Sequence, residues 1–377
     1  MKPYITQKQL FSLIILFQIG STTMFSLGIA AKEDAWLAII VAMFAGFILL
    51  WIYTELQKSY PQKNLADIII ILLGKPLGIP LVFLYALYFI HISTLNLNEF
   101  CNLVSWTYLT STPLIVITSF FMFFVLYALF CGFQVFARTA ELMIIILLSF
   151  LLGTYILTIL TGKMNLTNLK PILANGITPV LKAAYPQVIN FPFGEMIVFL
   201  MYWCYLDTKE KTRKVSFIAL ATSGITLVFS LLIYVSVLGV QGAERYTFPF
   251  LSVVKLINVG HFFKNLDAIG IINLIIGGYF KMTTFFYAGV LALNTLFKMK
   301  DERILITIVG IFTLWASIAT IPTFLFQKWL GQKVTTPYIH VPFQIIFPTL
   351  LLIINWLKKE RNMSYKNINS KINREKC

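Results

Sequence analysis

The stretch Pro179–Leu206, PVLKAAYPQVINFPFGEMIVFLMYWCYL, is long and apolar enough to cross a bilayer, yet Asn190-Phe191-Pro192-Phe193-Gly194 interrupts it near its middle. A spanning helix needs about 20 mostly apolar residues. Proline removes a backbone donor and glycine weakens a helix. A break at mid-depth strands several N–H and C=O groups where lipid cannot satisfy them. It persists only where those groups meet a ligand, an ion, water or neighbouring protein. A second interruption of this kind lies near the start of the chain, where Gly20-Ser21-Thr22-Thr23 falls inside the apolar run Gln9–Ala31.

The rest of the chain supports a membrane reading. Of 377 residues, 58% are apolar, 15% aromatic and only 12% charged, with a mean hydropathy of +0.82. Soluble domains carry about 25% charge. Disorder and a collagen-like chain are excluded by the long apolar runs and modest Gly and Pro content. The net charge of +15 lies between apolar runs, so it points to topology and anionic lipid rather than nucleic acid. Cys101, Cys131, Cys204 and Cys377 show no metal-ligand or disulfide spacing. No phosphate loop, nucleophile–base set or metal cluster appears, so neither an enzyme, a cofactor nor a metal is expected.

Ten segments qualify as spans: Gln9–Ala31, Ala35–Tyr53, Gly78–Tyr108, Pro113–Phe133, Ala140–Leu160, Pro179–Leu206, Val215–Val240, Leu266–Phe297, Ile304–Pro322 and Pro337–Leu357. The first is not a cleavable signal peptide, since no small-residue cleavage site follows it. The chain reads as a single transmembrane domain with a short basic tail, 358–377. With the N-terminus inside, twenty Lys and Arg fall on the inner side and nine on the outer. That excess predicts N-in, C-in topology.

Ten spans divide into two fives, about 9–160 and 179–357. Because five is odd, a repeat of this kind is inverted. Spans one and six are both interrupted. Spans three and eight are both overlong, as tilted helices are. A short amphipathic segment precedes each of those two, Asn64–Leu73 and Phe248–Val259. Spans four, five, nine and ten read as plain. Interrupted segments at matching places in two halves are the sequence pointer to a transporter's binding site.

Three charges lie deep in spans: Glu99, Glu195 and Lys281. Each costs at least about 2.5 kcal/mol in the membrane unless paired or wetted. Spans three and eight flank the broken pair in this architecture, so Glu99 and Lys281 are expected to meet across the core. Tyr88, Leu95 and Glu99 share one face of span three. Gly277 and Gly278 permit a close helix approach one turn before Lys281, and Thr283 and Thr284 add hydroxyls. Two readings are open for the three charges. They hold a zwitterionic ligand or a coupling proton, or they form a structural ion pair, with Lys281 alternatively snorkelling to the rim. His91 reads as a hydrogen-bonded packing residue.

Ile5-Thr6-Gln7-Lys8-Gln9-Leu10-Phe11, running into Phe17-Gln18-Ile19-Gly20-Ser21, resembles the start of the B subunits of spore germination receptors. Phe191-Pro192-Phe193-Gly194-Glu195-Met196 resembles the same family, part of the amino acid–polyamine–organocation superfamily. The resemblance implies an all-α, LeuT-type, five-plus-five inverted repeat with broken helices 1 and 6, in the inner membrane of a bacterial endospore. It implies a subunit that binds a small nutrient, often an amino acid, beside an A subunit and a lipoprotein C subunit. It carries over Gly20, Ser21, Thr22, Phe191, Pro192, Phe193, Gly194 and Glu195 as binding residues; Tyr88, Glu99, Lys281 and Thr284 join them on the helical-face argument. The function expected is nutrient sensing that triggers germination. The alternative is a proton- or sodium-coupled amino acid permease. A purely structural assembly subunit leaves the polar breaks unexplained.

Overall fold

The computed structural model describes residues 4–257 and 267–360, with side chains of 267–269 excepted. Val259 and Leu266, which bound two expected segments, and the tail beyond Glu360 lie outside the described residues. Among the described residues every regular element is helical. Among the described residues, seven helices are long and apolar enough to cross a membrane, so this is an integral membrane protein. The other apolar segments are shorter or interrupted.

Thr6 starts α1 (Gln7–Ile19) with a capping box, accepting from Gln9 N while Gln9 Oε1 accepts from Thr6 N at 3.0 Å. The Ile5-Thr6-Gln7-Lys8-Gln9 opening therefore has a local structural reason. At Gly20 the helix stops. The chain makes a 3-10 turn, Thr22–Met24, then passes through left-handed Gly28 (φ 67°) into a second, Ile29–Asp34, before α2 (Ala35–Ser59) begins. Helix α3 (Leu65–Thr107) is capped by Asn64 and kinks at Gly74 (φ 73°), which divides the amphipathic Asn64–Leu73 segment from the long span. Then follow α4 (Leu114–Phe130) and α5 (Phe133–Leu160).

The sixth segment is the least regular. It runs from α6 (Thr178–Ala183) through a π-helical stretch, Ala184–Phe193, into a 3-10 helix, Gly194–Met201. Tyr185 (φ −112°, ψ 135°) and Phe191 (φ −123°, ψ 111°) are extended, and each precedes a proline. Steric pressure from the proline ring drives its predecessor out of the α region. Helix α7 (Thr212–Arg245), the short α8 (Pro249–Leu256), α9 (Asp267–Phe297) and α10 (Glu302–Ala319) complete the second half. The last span is not plain. It comprises α11 (Phe324–Trp329), a π-helical stretch from Leu330 to Ile346, and an α-helix over 347–360. It enters 13 residues before the expected Pro337, and its irregular half carries polar side chains.

Helix α9 is apolar nearly all round and lies at the centre, packed most extensively on α3 and also on α1, α5 and α10. Phe17 joins the first break to this core, with ring centroids 5.2 Å from both Phe199 and Phe285. Gly20 and Gly277 meet backbone to backbone, so a Cβ at Gly277 would fall 2.0 Å from Gly20 Cα. On the outside, α4 turns Phe120, Phe123 and Tyr127 outward at 65%, 59% and 60% exposure, a surface suited to lipid rather than water.

Candidate binding cavity between the broken segments

Where the two interrupted segments meet, their freed backbone groups are met mostly by side chains from elsewhere. Gln18 Nε2 donates to Pro192 O at 3.1 Å, tying α1 to the second break. Tyr53 on α2 donates to Gly194 O (3.2 Å) and Gln344 O (2.5 Å), holding two irregular stretches at once. Asn190 Nδ2 caps Pro186 O at 2.7 Å, and Thr23 Oγ1 donates to Ile19 O at 2.9 Å. The buried Ser21 Oγ, Thr22 Oγ1 and Asn190 Oδ1 have no hydrogen-bond partner in the protein.

Beside this junction lies a cavity of about 510 Å³. Its walls come from Phe25–Ala30 after the first break, Gln187–Glu195 of the second, Ile92–Glu99 of α3, the end of α7, and the last span from Phe324 to His340. Glu244, Thr247 and Lys328 are exposed and form the mouth. Helix α7 runs from beside Gln7 to Glu244, so the mouth lies at the opposite end of the bundle from Ile5. The Ile5 end is shut: Ile5 N donates to Tyr205 O (2.9 Å), Asp207 N to Ile5 O (3.0 Å) and Gln7 Nε2 to Thr208 Oγ1 (3.1 Å).

Of the residues the sequence singled out, Glu99, Phe191 and Glu195 line the cavity. Lys281 lies behind the wall, fully buried, its Nζ 2.7 Å from Glu195 Oε2 and 3.9 Å from the Phe191 ring centroid. This corrects the expected pairing, in which Lys281 faced Glu99, and excludes snorkelling to the rim. The second break lowers Glu195 onto α9, and the Phe191 ring adds a cation–π contact to the same ammonium. Tyr88 stands one layer back. Its hydroxyl bonds His340 Nδ1 at 2.9 Å and accepts from Gln344 Nε2 at 2.9 Å, with its ring stacked on Phe343.

The others are structural in position. Thr284 donates to Phe280 O at 2.7 Å and its carbonyl accepts from Tyr202. Pro192 and Gly194 present their carbonyls to Gln18 and Tyr53, and Phe193 packs over Gly46. Gly20, Ser21 and Thr22 are buried beside α9, outside the cavity wall. The first break reaches the cavity through Phe25–Ala30 instead, because Gly20 is drawn against Gly277.

The last span supplies wall residues the sequence did not single out: Gln327, Thr335, Thr336 and His340. With Gly331 and Gln344 they recur at 327, 331, 335, 340 and 344, steps of four or five. On a 3.6-residue turn that ladder drifts around the helix, whereas the wider π turn keeps it on one side. Thr336 Oγ1 donating to Gly331 O, five residues back, shows the wider turn directly.

Among the described residues, an all-helical apolar body with a cavity between two interrupted segments has the architecture of a membrane transporter, and a solved structure shares the fold. The chain superimposes on Mhp1, a nucleobase-cation-symport-1 family transporter in a closed conformation with bromovinylhydantoin bound, with a TM-score of 0.62, covering 93% of this chain and 78% of that one at 12% identity. The chain belongs to the spore germination protein family, whose sequence profile matches residues 4–325. It is 36% identical to spore germination protein KB of Bacillus subtilis (strain 168) over 366 residues, 96% of this chain and 98% of the relative. It is 24% identical to spore germination protein XB of Bacillus anthracis, over 87% of this chain and 90% of that protein.

Proposed function

We propose that this chain is the B subunit of a nutrient germinant receptor and that the cavity between the broken segments holds the nutrient. On this reading the chain crosses the inner membrane of the endospore ten times as one domain, as two inverted fives, 9–160 and 179–357. Both termini, with the basic tail 358–377, face the inside. An A subunit and a lipoprotein C subunit read its state. The ligand is a small molecule, an amino acid in the first instance. Gly20, Ser21, Thr22, Tyr88, Pro192, Phe193, Gly194, Lys281 and Thr284 then support the pocket from behind, and Glu99, Phe191 and Glu195 face the ligand.

The observation that carries this is the cavity of about 510 Å³ walled by both interrupted segments. Two spans, each broken at a matching place, are costly in lipid, and a pocket built from the two breaks gives the breaks a use. A ligand bound there shifts the balance between two packings of the bundle only by its difference in affinity for them. Transport by the same motion, coupled to a proton or sodium, is the second reading, and the fold shared with Mhp1 favours it.

Spores lacking this gene, offered single amino acids and nucleosides, provide the test. The expected outcome is loss of germination to a subset of nutrients, restored by the intact gene. Normal germination to every nutrient in the deleted strain would refute the receptor role. Radiolabelled uptake into vesicles carrying the chain alone would establish the permease instead.

A further inference from the structure

With Lys281 consumed by Glu195, the charges around the cavity do not balance. Glu99 lines the cavity from α3, half-buried, and among the described residues no lysine, arginine or histidine nitrogen lies within ion-pair distance of it. The amide of Gln327 lies against its carboxylate. Lys281 cannot turn to it without abandoning Glu195, since its side chain is 0% exposed and covered by the Phe191 ring. The two other charged wall residues, Glu244 and Lys328, are of opposite sign and sit exposed at the mouth. Of the two interior carboxylates on the wall, Glu195 has its cation at 2.7 Å and Glu99, next to the apolar Ile92 and Leu95, has none within ion-pair distance among the described residues.

We infer that Glu99 is the docking point for a ligand's ammonium group, so that the cavity takes protonated amines and discriminates against nutrients without one. A carboxylate at membrane depth is expected to be paired or wetted. A primary ammonium supplies three donors and a full positive charge, and the charge-assisted bonds it makes are about twice as strong as neutral ones. A sugar hydroxyl or a ligand carboxylate supplies no such compensation. Ile92, Leu95 and Phe191, on the cavity's walls, are left to take the ligand's side chain. Specificity of this kind resides in a helix that neither break contributes. The inference rests on the reading of the cavity as a nutrient site.

The test uses the full chain in lipid nanodiscs, following its thermal midpoint against each of the twenty amino acids, against the α-hydroxy acid in which oxygen replaces the amine, and against single sugars and nucleosides. At least one amino acid is expected to raise the midpoint. Its hydroxy acid should require at least tenfold more for the same shift. Glu99→Gln should raise the amino acid concentration needed at least tenfold, and Glu99→Asp less. Because the hydroxy acid comparison uses the unmodified protein, a poorly folded variant does not blunt it. Equal response to amine and hydroxy acid, an unaltered Glu99→Gln, or no shift with any amine would overturn the assignment. A midpoint raised only by a sugar or nucleoside would overturn it while leaving the receptor reading intact, whereas normal germination of the deleted spores would strike the reading itself.

Discussion

Lys281 and Glu195 form an ion pair with side chains 0% and 2% exposed, in the most buried part of the bundle. Removing one member leaves the other charged and dry, which costs about 3–5 kcal/mol, whereas replacing both is close to neutral. Lys281→Met should therefore lower the thermal midpoint of the purified protein, and Lys281→Met combined with Glu195→Gln should recover most of the loss. A single variant as stable as the parent, in a thermal unfolding series, would show that the pair is not held as described. Sequence alone exposed all three deep charges, because each breaks an apolar run. It did not reveal which two would pair. That choice depends on the rotation of α3 against α9 and on the unwound backbone that carries Glu195, and neither follows from helical periodicity.

At the level of elements, the irregular segments keep their shape through side chains borrowed from regular helices. Tyr53 on α2 is the clearest, since its hydroxyl serves carbonyls of the second break and of the last span. Tyr53→Phe keeps the ring and removes those bonds, at an expected cost of about 1–3 kcal/mol for the buried acceptors left alone. The readout is the thermal midpoint, with an unchanged value against the claim. The glycines offer a sharper contrast. Gly277→Ala drives a Cβ into the Gly20 backbone and must push α9 off the first break, while Gly153→Ala in α5 meets nothing within 4 Å. The first should lose stability by several kcal/mol, beyond the usual ~1–3 of overpacking, because backbone cannot repack as a side chain does. The second should gain up to ~1 kcal/mol from helix propensity. Both breaks were legible in the sequence because glycine and proline mark them. The last span was misjudged because its entry is polar, and a search for apolar windows starts too late, at Pro337. Its polar ladder signals a site only if read with the wider π turn in mind.

Across the whole molecule the two ends are unequal. The end holding Ile5 is sealed by backbone pairing with Tyr205 and Asp207, by the Gln7–Thr208 hydrogen bond, and by the Arg213–Glu55 ion pair at 2.5 Å that ties α7 to α2. The opposite end admits the cavity's mouth at Glu244 and Lys328. On the N-in topology proposed from the Lys and Arg excess, the sealed end faces the inside, since positive charge is retained there. On the proposed function a nutrient would enter from outside and meet a closed floor, as a sensor requires. Cysteines introduced one at a time, in a background freed of the natural ones, test this with a membrane-impermeant thiol reagent. Glu244→Cys should react in intact, right-side-out vesicles and become protected when a bound nutrient occupies the mouth. Thr208→Cys should react only after the membrane is opened. The reverse pattern would place the mouth inside. The molecule would then be poised to release a solute inward rather than to receive one from outside, and the permease would become the better account.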